Sequence, residues 1–170
     1  MKNLSQYNIQ LLTKQHNRQK FSCGVESLNR YLQQQASQDI KRYLSTTFVL
    51  TQQKSAEVIG YYTLSSLAID AGEFSENIVR RLPKYPLFPA ILIGRLAIDE
   101  RFHGNRLGEL LIVDALRRSV KSSQEVAAMV VLVEAKNEKA ARFYRRYGFI
   151  PFVHHECKLF LPIATAKALF

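Results

Sequence analysis

Two short, dense apolar stretches, residues 91–98 and 127–133, flank an amphipathic segment at 108–120, and this spacing constrains the fold more than anything else in the chain. Apolar runs of that length suit strands buried on both faces. Between them Gly108, Leu111, Ile112, Ala115, Leu116 and Ser119 recur at intervals of three and four, the period of one helical face. A strand–helix–strand unit of this kind crosses over to lay its two strands parallel. The chain is therefore predicted to be α/β, with a mixed central sheet flanked by helices.

The segments around this unit fit the same plan. Phe21-Ser22-Cys23-Gly24 reads as a turn, followed by a helix with Val25, Leu28, Leu32 and Ala36 on one face. Residues 46–50 and 58–64 form a hairpin across a polar turn at 52–57. Pro83, Pro86 and Pro89 mark residues 71–90 as an irregular loop that cannot be a central strand. Asn137 caps a short helix reaching Arg146, which Gly148 stops, and strands are predicted at 149–153 and 156–160. With no linker or repeat, residues 1–170 are expected to form a single domain.

At 170 residues, 47% of them hydrophobic, a chain buries about 70% of its unfolded surface and needs no staples. Its apolar runs fall far short of the roughly 20 residues that cross a bilayer. The opening Met1-Lys2-Asn3-Leu4-Ser5-Gln6 holds no apolar core of a secretory leader, so a cytoplasmic protein is expected, with Cys23 and Cys157 as free thiols. Lys and Arg number 24 against 14 Asp and Glu, a net charge of +10 scattered in pairs such as Lys41-Arg42 and Arg145-Arg146. That excess suits either a solvated basic surface or a polyanionic partner.

Two segments hold the chemistry. In the first, a buried strand ends at Leu96-Ala97-Ile98, a polar turn follows through Asp99-Glu100-Arg101-Phe102-His103-Gly104-Asn105-Arg106, and a helix opens at Leu107-Gly108. A helix start leaves N–H groups unpaired beside a partial positive charge, and glycines let an anion such as a pyrophosphate approach them. The same pattern also makes a simple tight connection. In the second segment, Ala140, Phe143, Tyr144 and Tyr147 share one helical face, which suits core packing. A tyrosine phenol there can also give a proton to a departing anion. No metal-ligand set is expected.

Together these segments resemble the GNAT superfamily of N-acetyltransferases. The stretch from Arg101 to Gly108 is similar to its acetyl-CoA pyrophosphate loop, and Asn137 to Phe149 to its later N–x–x–A–x–x–F–Y–x–x–x–G–F element. The likeness is narrower still to the acetyltransferase toxins of type II toxin–antitoxin modules, which acetylate the amino acid on charged tRNA. Phe21-Ser22-Cys23-Gly24 with Leu28-Asn29-Arg30-Tyr31-Leu32, then Gly60-Tyr61-Tyr62-Thr63-Leu64-Ser65, then Gly94-Arg95-Leu96-Ala97-Ile98-Asp99 carry it. One position departs: Arg106 stands where the family loop keeps a small residue, at a cost of about 1 kcal/mol if the site needs positive φ.

The resemblance implies a sheet whose two parallel strands splay apart around an acetyl thioester. Leu96, Ala97 and Ile98 would meet the pantetheine and the thioester oxygen. The amides of His103, Gly104, Asn105, Arg106, Leu107 and Gly108 would hold the pyrophosphate of acetyl-CoA. Phe143 would line the cofactor, Asn137 would contact it or only cap its helix, and Tyr144 would protonate the leaving thiolate. Glu134 and His103 are candidate bases, though an α-amine, already largely neutral in the cell, needs little help. Arg80, Arg81, Lys84, Arg142, Arg145 and Arg146 are candidates for the aminoacyl-tRNA surface, or for a merely solvated face. The family also implies a ribbon–helix–helix antitoxin, operator DNA reached through it, and a homodimer. Acetylation of protein N-termini or small amines, and a catalytically weak RNA- or partner-binding module, are the competing readings.

Overall fold

The computed structural model describes residues 4–170; Met1-Lys2-Asn3, part of the segment from which a cytoplasmic location is expected, lies outside the described residues. The elements are β1 (Tyr7–Leu11), α1 (Glu26–Arg30), a π-helical turn (Tyr31–Gln35), α2 (Ala36–Lys41), β2 (Thr46–Gln52), β3 (Val58–Asp70) and α3 (Glu76–Val79). Then follow β4 (Leu87–Ile98), α4 (Leu107–Ser123), β5 (Val130–Glu134), α5 (Glu138–Arg145), β6 (Ile150–Phe152), β7 (His155–Pro162) and α6 (Ile163–Lys167). The strands make one mixed sheet in the order β1-β2-β3-β4-β5-β7-β6. β4 and β5 are parallel, as a crossover through α4 requires, and β1–β2, β2–β3, β5–β7 and β6–β7 are antiparallel. The expected mixed α/β sheet flanked by helices is what the chain forms.

Several boundaries differ from expectation: β3 runs on to Asp70 rather than 64, β5 begins at Val130 rather than 127, and the helix after Gly24 is broken by the π-helical turn. The segment 71–90 is not an irregular loop throughout. It holds a 3-10 turn at Ala71–Glu73 and α3, and β4 already begins at Leu87 with Pro89 inside a central strand. Proline is excluded from a ladder only where its N–H is needed. Pairing with β5 starts one residue later, at Ala90↔Val130, and Pro89 serves as an acceptor, its carbonyl taking the Met129 N–H at 2.8 Å. At the other end, β1 is an edge strand beyond the expected elements. Its alternation of Tyr7, Ile9 and Leu11 with Asn8 and Gln10 is a period-two signal.

The chain divides into two compact units: residues up to Ser65 with Gly94–Ala115, and Ser66–Ile93 with Leu116–Phe170. In the first, Phe21, Tyr31, Leu32, Ala36, Val49, Val58, Tyr61 and Ala97 share one core. Tyr61 is wholly buried, edge-on to Phe21 at 5.5 Å, and its hydroxyl donates to the Leu28 carbonyl at 2.8 Å, so its burial leaves no donor unpaired. Gly60 has a steric reason. A Cβ there would stand 2.7 Å from Ile98 Cδ1, which would have to turn aside, and 3.3 Å from the Ala97 carbonyl, so β3 passes β4 closely at this point.

In the second unit Phe74 packs against Phe88, Phe152 and Phe160, with Ile69, Val130 and Leu132 completing the cluster. Along α4, Leu111, Ile112, Ala115, Leu116 and Ser119 are buried on the expected face. Each of its large aliphatic side chains contributes about 2 kcal/mol relative to exposure, which is why the helix forms where its period says it should.

Candidate active site

At the end of β4 the chain turns on one buried carboxylate. Asp99 is 1% exposed and accepts from the Arg101 amide and Nε at 3.0 Å, from Arg101 Nη2 at 3.0 Å and from the Ser22 amide at 3.2 Å. Burial pushes its carboxyl up, but these donors outweigh that and hold it below the ordinary value. Ser22 returns a second bond, its carbonyl accepting the Glu100 N–H at 2.8 Å, and Asn29 Oδ1 takes the Cys23 N–H at 2.8 Å. The turn at residues 21–24 is thus a clamp on the corner that launches the next loop. Arg101 spends its remaining charge on Glu57 at 2.8 Å, so it braces the corner.

Beyond the corner the loop offers donors. Gly104 and Arg106 adopt left-handed φ of 78° and 58°, and α4 starts at Leu107. None of the amides of Gly104, Arg106, Leu107 or Gly108 donates to a backbone carbonyl among the described residues. A Cβ on Gly104 would meet nothing within 4 Å, so the loop is open there. Unpaired N–H groups at the head of a 17-residue helix, with its dipole behind them, fit a pyrophosphate. His103 contributes less than expected. Its amide donates to Glu100 at 3.2 Å, and its ring Nε2 donates to the Ile98 carbonyl at 2.8 Å, leaving only Nδ1 as a basic site.

Arg106 sits in the conformation that makes a small residue preferable, and its guanidinium forms no ion pair among the described residues. Arg106→Gly is expected to raise stability by about 0.5–1 kcal/mol, the relieved strain exceeding the entropy that glycine adds to the unfolded chain. Urea unfolding of the two proteins checks this; a destabilised variant would mean that the arginine makes compensating contacts.

Pairing of β4 with β5 runs from Ala90↔Val130 to Ile93↔Val133, whereas β4 itself continues through Leu96, Ala97 and Ile98. Glu134 is exposed at the end of β5. Asn137 caps α5, its Oδ1 accepting the Ala140 N–H at 2.9 Å, and Gly148 ends the turn after it with φ 93°. Tyr144 is 8% exposed, its ring set edge-on to Phe143 at 5.2 Å and Phe149 at 5.6 Å. Its hydroxyl has no hydrogen-bond partner among the described residues, yet it is not sealed in. Burial pushes the phenol up to about 12. At neutral pH this group is a proton donor and never a base.

Residues 44–151 match the acetyltransferase (GNAT) domain. The chain belongs to the GNAT acetyltransferase family. It is 29% identical over 161 residues to the probable toxin TacT of Sinorhizobium fredii, covering 91% of this chain and 89% of that protein. To the tRNA-acetylating toxin of Mycobacterium tuberculosis it is 31% identical over 149 residues, 88% of this chain and 87% of the other. Among solved structures it is similar to AtaT complexed with acetyl-methionyl-tRNAfMet, with a TM-score of 0.89 and 31% identity over 96% of this chain and 99% of that one. AtaTR bound with AcCoA gives 0.86 and 30% over 98% and 99%, and the KacTA–DNA complex 0.82 and 30% over 97% and 98%.

Of the basic residues in this GNAT chain singled out for RNA, two are already engaged. Arg145 pairs with Glu138 at 2.7 Å and Arg80 with Glu76 at 3.7 Å, whereas Arg81, Lys84 and Arg142 are exposed and Arg146 lies over the Phe143 ring at 5.7 Å. Cys23 and Cys157 form no disulfide among the described residues. Among the described residues no helix is long and apolar enough to cross a membrane, and no cluster of His, Cys, Asp or Glu could hold a metal ion.

Proposed function

We propose that the chain transfers acetyl from acetyl-CoA to the α-amine of aminoacyl-tRNA and thereby blocks translation. The likeness to AtaT complexed with acetyl-methionyl-tRNAfMet, over 96% of this chain, carries the reading most directly. The net charge of +10 supports it, because neutralising several RNA phosphates needs just such an excess. An α-amine also suits a site whose candidate bases are Glu134 and the half-committed His103, since it ionises far below a lysine.

On this reading the amides of Gly104, Asn105, Arg106, Leu107 and Gly108 bind the pyrophosphate, and the backbone of Leu96, Ala97 and Ile98 binds the pantetheine arm. Acetyl-CoA supplies an activated thioester whose carbonyl the amine attacks. Tyr144 donates its phenolic proton to the thiolate that leaves, the nitrogen sheds its extra proton to solvent, from which the phenol is restored, and Phe143 packs against the cofactor. Asn137 holds α5 in place as its cap and offers its amide nitrogen to the cofactor. Arg81, Lys84, Arg142 and Arg146, with Arg80 and Arg145 once their surface ion pairs open, supply the charge for tRNA; such exposed pairs are worth about 0.5 kcal/mol and yield readily.

The partners proposed with it are a ribbon–helix–helix antitoxin, operator DNA reached through it, and a second copy of the chain as a homodimer; the likeness to the KacTA–DNA complex supports the DNA. The protein works in the cytoplasm as one GNAT domain over residues 1–170, to which β3, β4 and α4 contribute by each running through both units. Incubation with labelled acetyl-CoA and total charged tRNA is expected to place label on the aminoacyl end. Label on protein but not on tRNA would move the assignment to N-terminal or small-amine acetylation. Calorimetry that finds no acetyl-CoA binding at millimolar ligand would instead mean that Arg106 has disabled the loop and left a binding module.

A further inference from the structure

The end of α2 carries a feature that stability does not explain. The Tyr43 N–H donates to Ile40 at 3.1 Å and the Leu44 N–H to Asp39 at 2.9 Å, the paired bonds of a helix stop whose penultimate residue must be left-handed. Glycine is the residue for that place, and here it is Tyr43 at φ 57°. The ring repays none of the strain by packing, because Tyr43 is 97% exposed. Lys41, Arg42 and Leu44 beside it are exposed as well, Leu44 to 60%. A strained position that holds a large flat ring out into water signals a role outside folding.

A second group converges on the same helix end. Arg95, on β4, lays its guanidinium on the Tyr31 ring, with Cζ 3.5 Å from the centroid. The Tyr31 hydroxyl donates to Asp39 Oδ2 at 2.8 Å and the Gln35 amide to Oδ1 at 2.9 Å, so the Asp39 carboxylate is already taken. Asp39 is held below its ordinary value chiefly by Gln35, against burial, and further by Tyr31 and by the charges of Arg95 and Arg42. Neither guanidinium forms a hydrogen bond or salt bridge among the described residues. The patch therefore combines two forked cations with open donors and one free aromatic face. It has what unpaired nucleotides require: phosphate donors and a stacking platform.

We infer that Tyr43, Arg42 and Arg95 dock unpaired nucleotides of the RNA substrate, Tyr43 stacking on a base and the two arginines meeting backbone phosphates. The inference rests on the aminoacyl-tRNA reading, since an enzyme acting on an amino acid at the tRNA 3′ end must accommodate the single-stranded nucleotides that carry it.

The test measures the affinity of wild type, Tyr43→Phe, Tyr43→Gly and Arg42→Gln for deacylated tRNA, intact or trimmed of its unpaired 3′ nucleotides. Melting temperature and acetyl-CoA affinity are recorded alongside. Tyr43→Gly is expected to melt about 2 °C higher and to bind acetyl-CoA unchanged. Its affinity for intact tRNA falls about tenfold, and Tyr43→Phe binds as wild type. Trimming removes the difference between wild type and Tyr43→Gly. Arg42→Gln lowers the salt dependence of binding by about one phosphate. Intact tRNA bound equally by wild type and Tyr43→Gly overturns the docking site alone. So does a variant that loses the antitoxin but not tRNA, because the surface then belongs to the protein partner. Wild type that binds no tRNA at all overturns the reading beneath it.

Discussion

Tyr144→Phe is expected to leave folding and acetyl-CoA affinity near wild type while slowing acetyl transfer about 100-fold or more and relieving growth arrest. The substitution removes only the hydroxyl. The ring keeps its edge-on contacts with Phe143 and Phe149, and no hydrogen bond among the described residues is lost, so stability has no reason to fall. What disappears is a proton donor. Because burial pushes the phenol up to about 12, it stays protonated through any working pH, and a rate profile should show no loss of activity from its ionisation below pH 10 or so. The same shift has a consequence for stability. The fold favours the protonated form, so its contribution is fully present below the unfolded value of 10.0 and is lost as pH rises towards about 12. Single-turnover acetylation of charged tRNA by the two proteins decides the assignment. A variant as fast and as toxic as wild type would leave Tyr144 a core tyrosine and no more.

Why α4 and α5 could be read from the chain is a matter of range. Their apolar faces, the Asn137 cap and the Gly148 stop are encoded within a few residues, and the fold has only to accept them. Tyr144 could be placed on its helix from spacing, but its role came from resemblance, since an aromatic stripe reads equally as core. The clamp at Asp99 could not be read at all. Its partners are Ser22, ahead of α1, and through Arg101 Glu57, in the turn before β3, and no local pattern links them. Arg95 is the same case, a charge inside a strand whose partner Tyr31 is supplied by the π-helical turn. Pro89 failed for a different reason. Proline's exclusion from central strands concerns a donor, and here the strand asks Pro89 only to accept. Arg106 was recognisable as a departure, and its left-handed backbone then showed why the family prefers a small residue there.

Asp99→Ala should lower stability by about 2–3 kcal/mol, against less than about 1 kcal/mol for Glu57→Gln, although both substitutions take a carboxylate from Arg101. Exposure separates the two. Glu57 meets the guanidinium where it is half exposed, so water and salt replace most of what is lost. Asp99 is 1% exposed and holds two backbone amides as well, so its removal takes the acceptor from the Ser22 and Arg101 N–H groups and leaves an empty space beside them. The loss should also reach the cofactor loop. The corner fixed by Asp99 carries the Ile98 carbonyl on which His103 is hung, and the open amides begin immediately afterwards at Gly104. Weaker acetyl-CoA binding is therefore expected to accompany the fall in stability. Acid supplies an independent check. The folded carboxyl titrates below 3.8, so its stabilisation is complete above that pH and drains away as pH falls through the folded value. Urea midpoints between pH 2 and 5 should drop more steeply for wild type than for Asp99→Asn, in which that proton is no longer taken up. Parallel curves would mean that the clamp is held by its backbone bonds, Glu100 N–H to Ser22 above all, and that the carboxylate merely occupies the space beneath them.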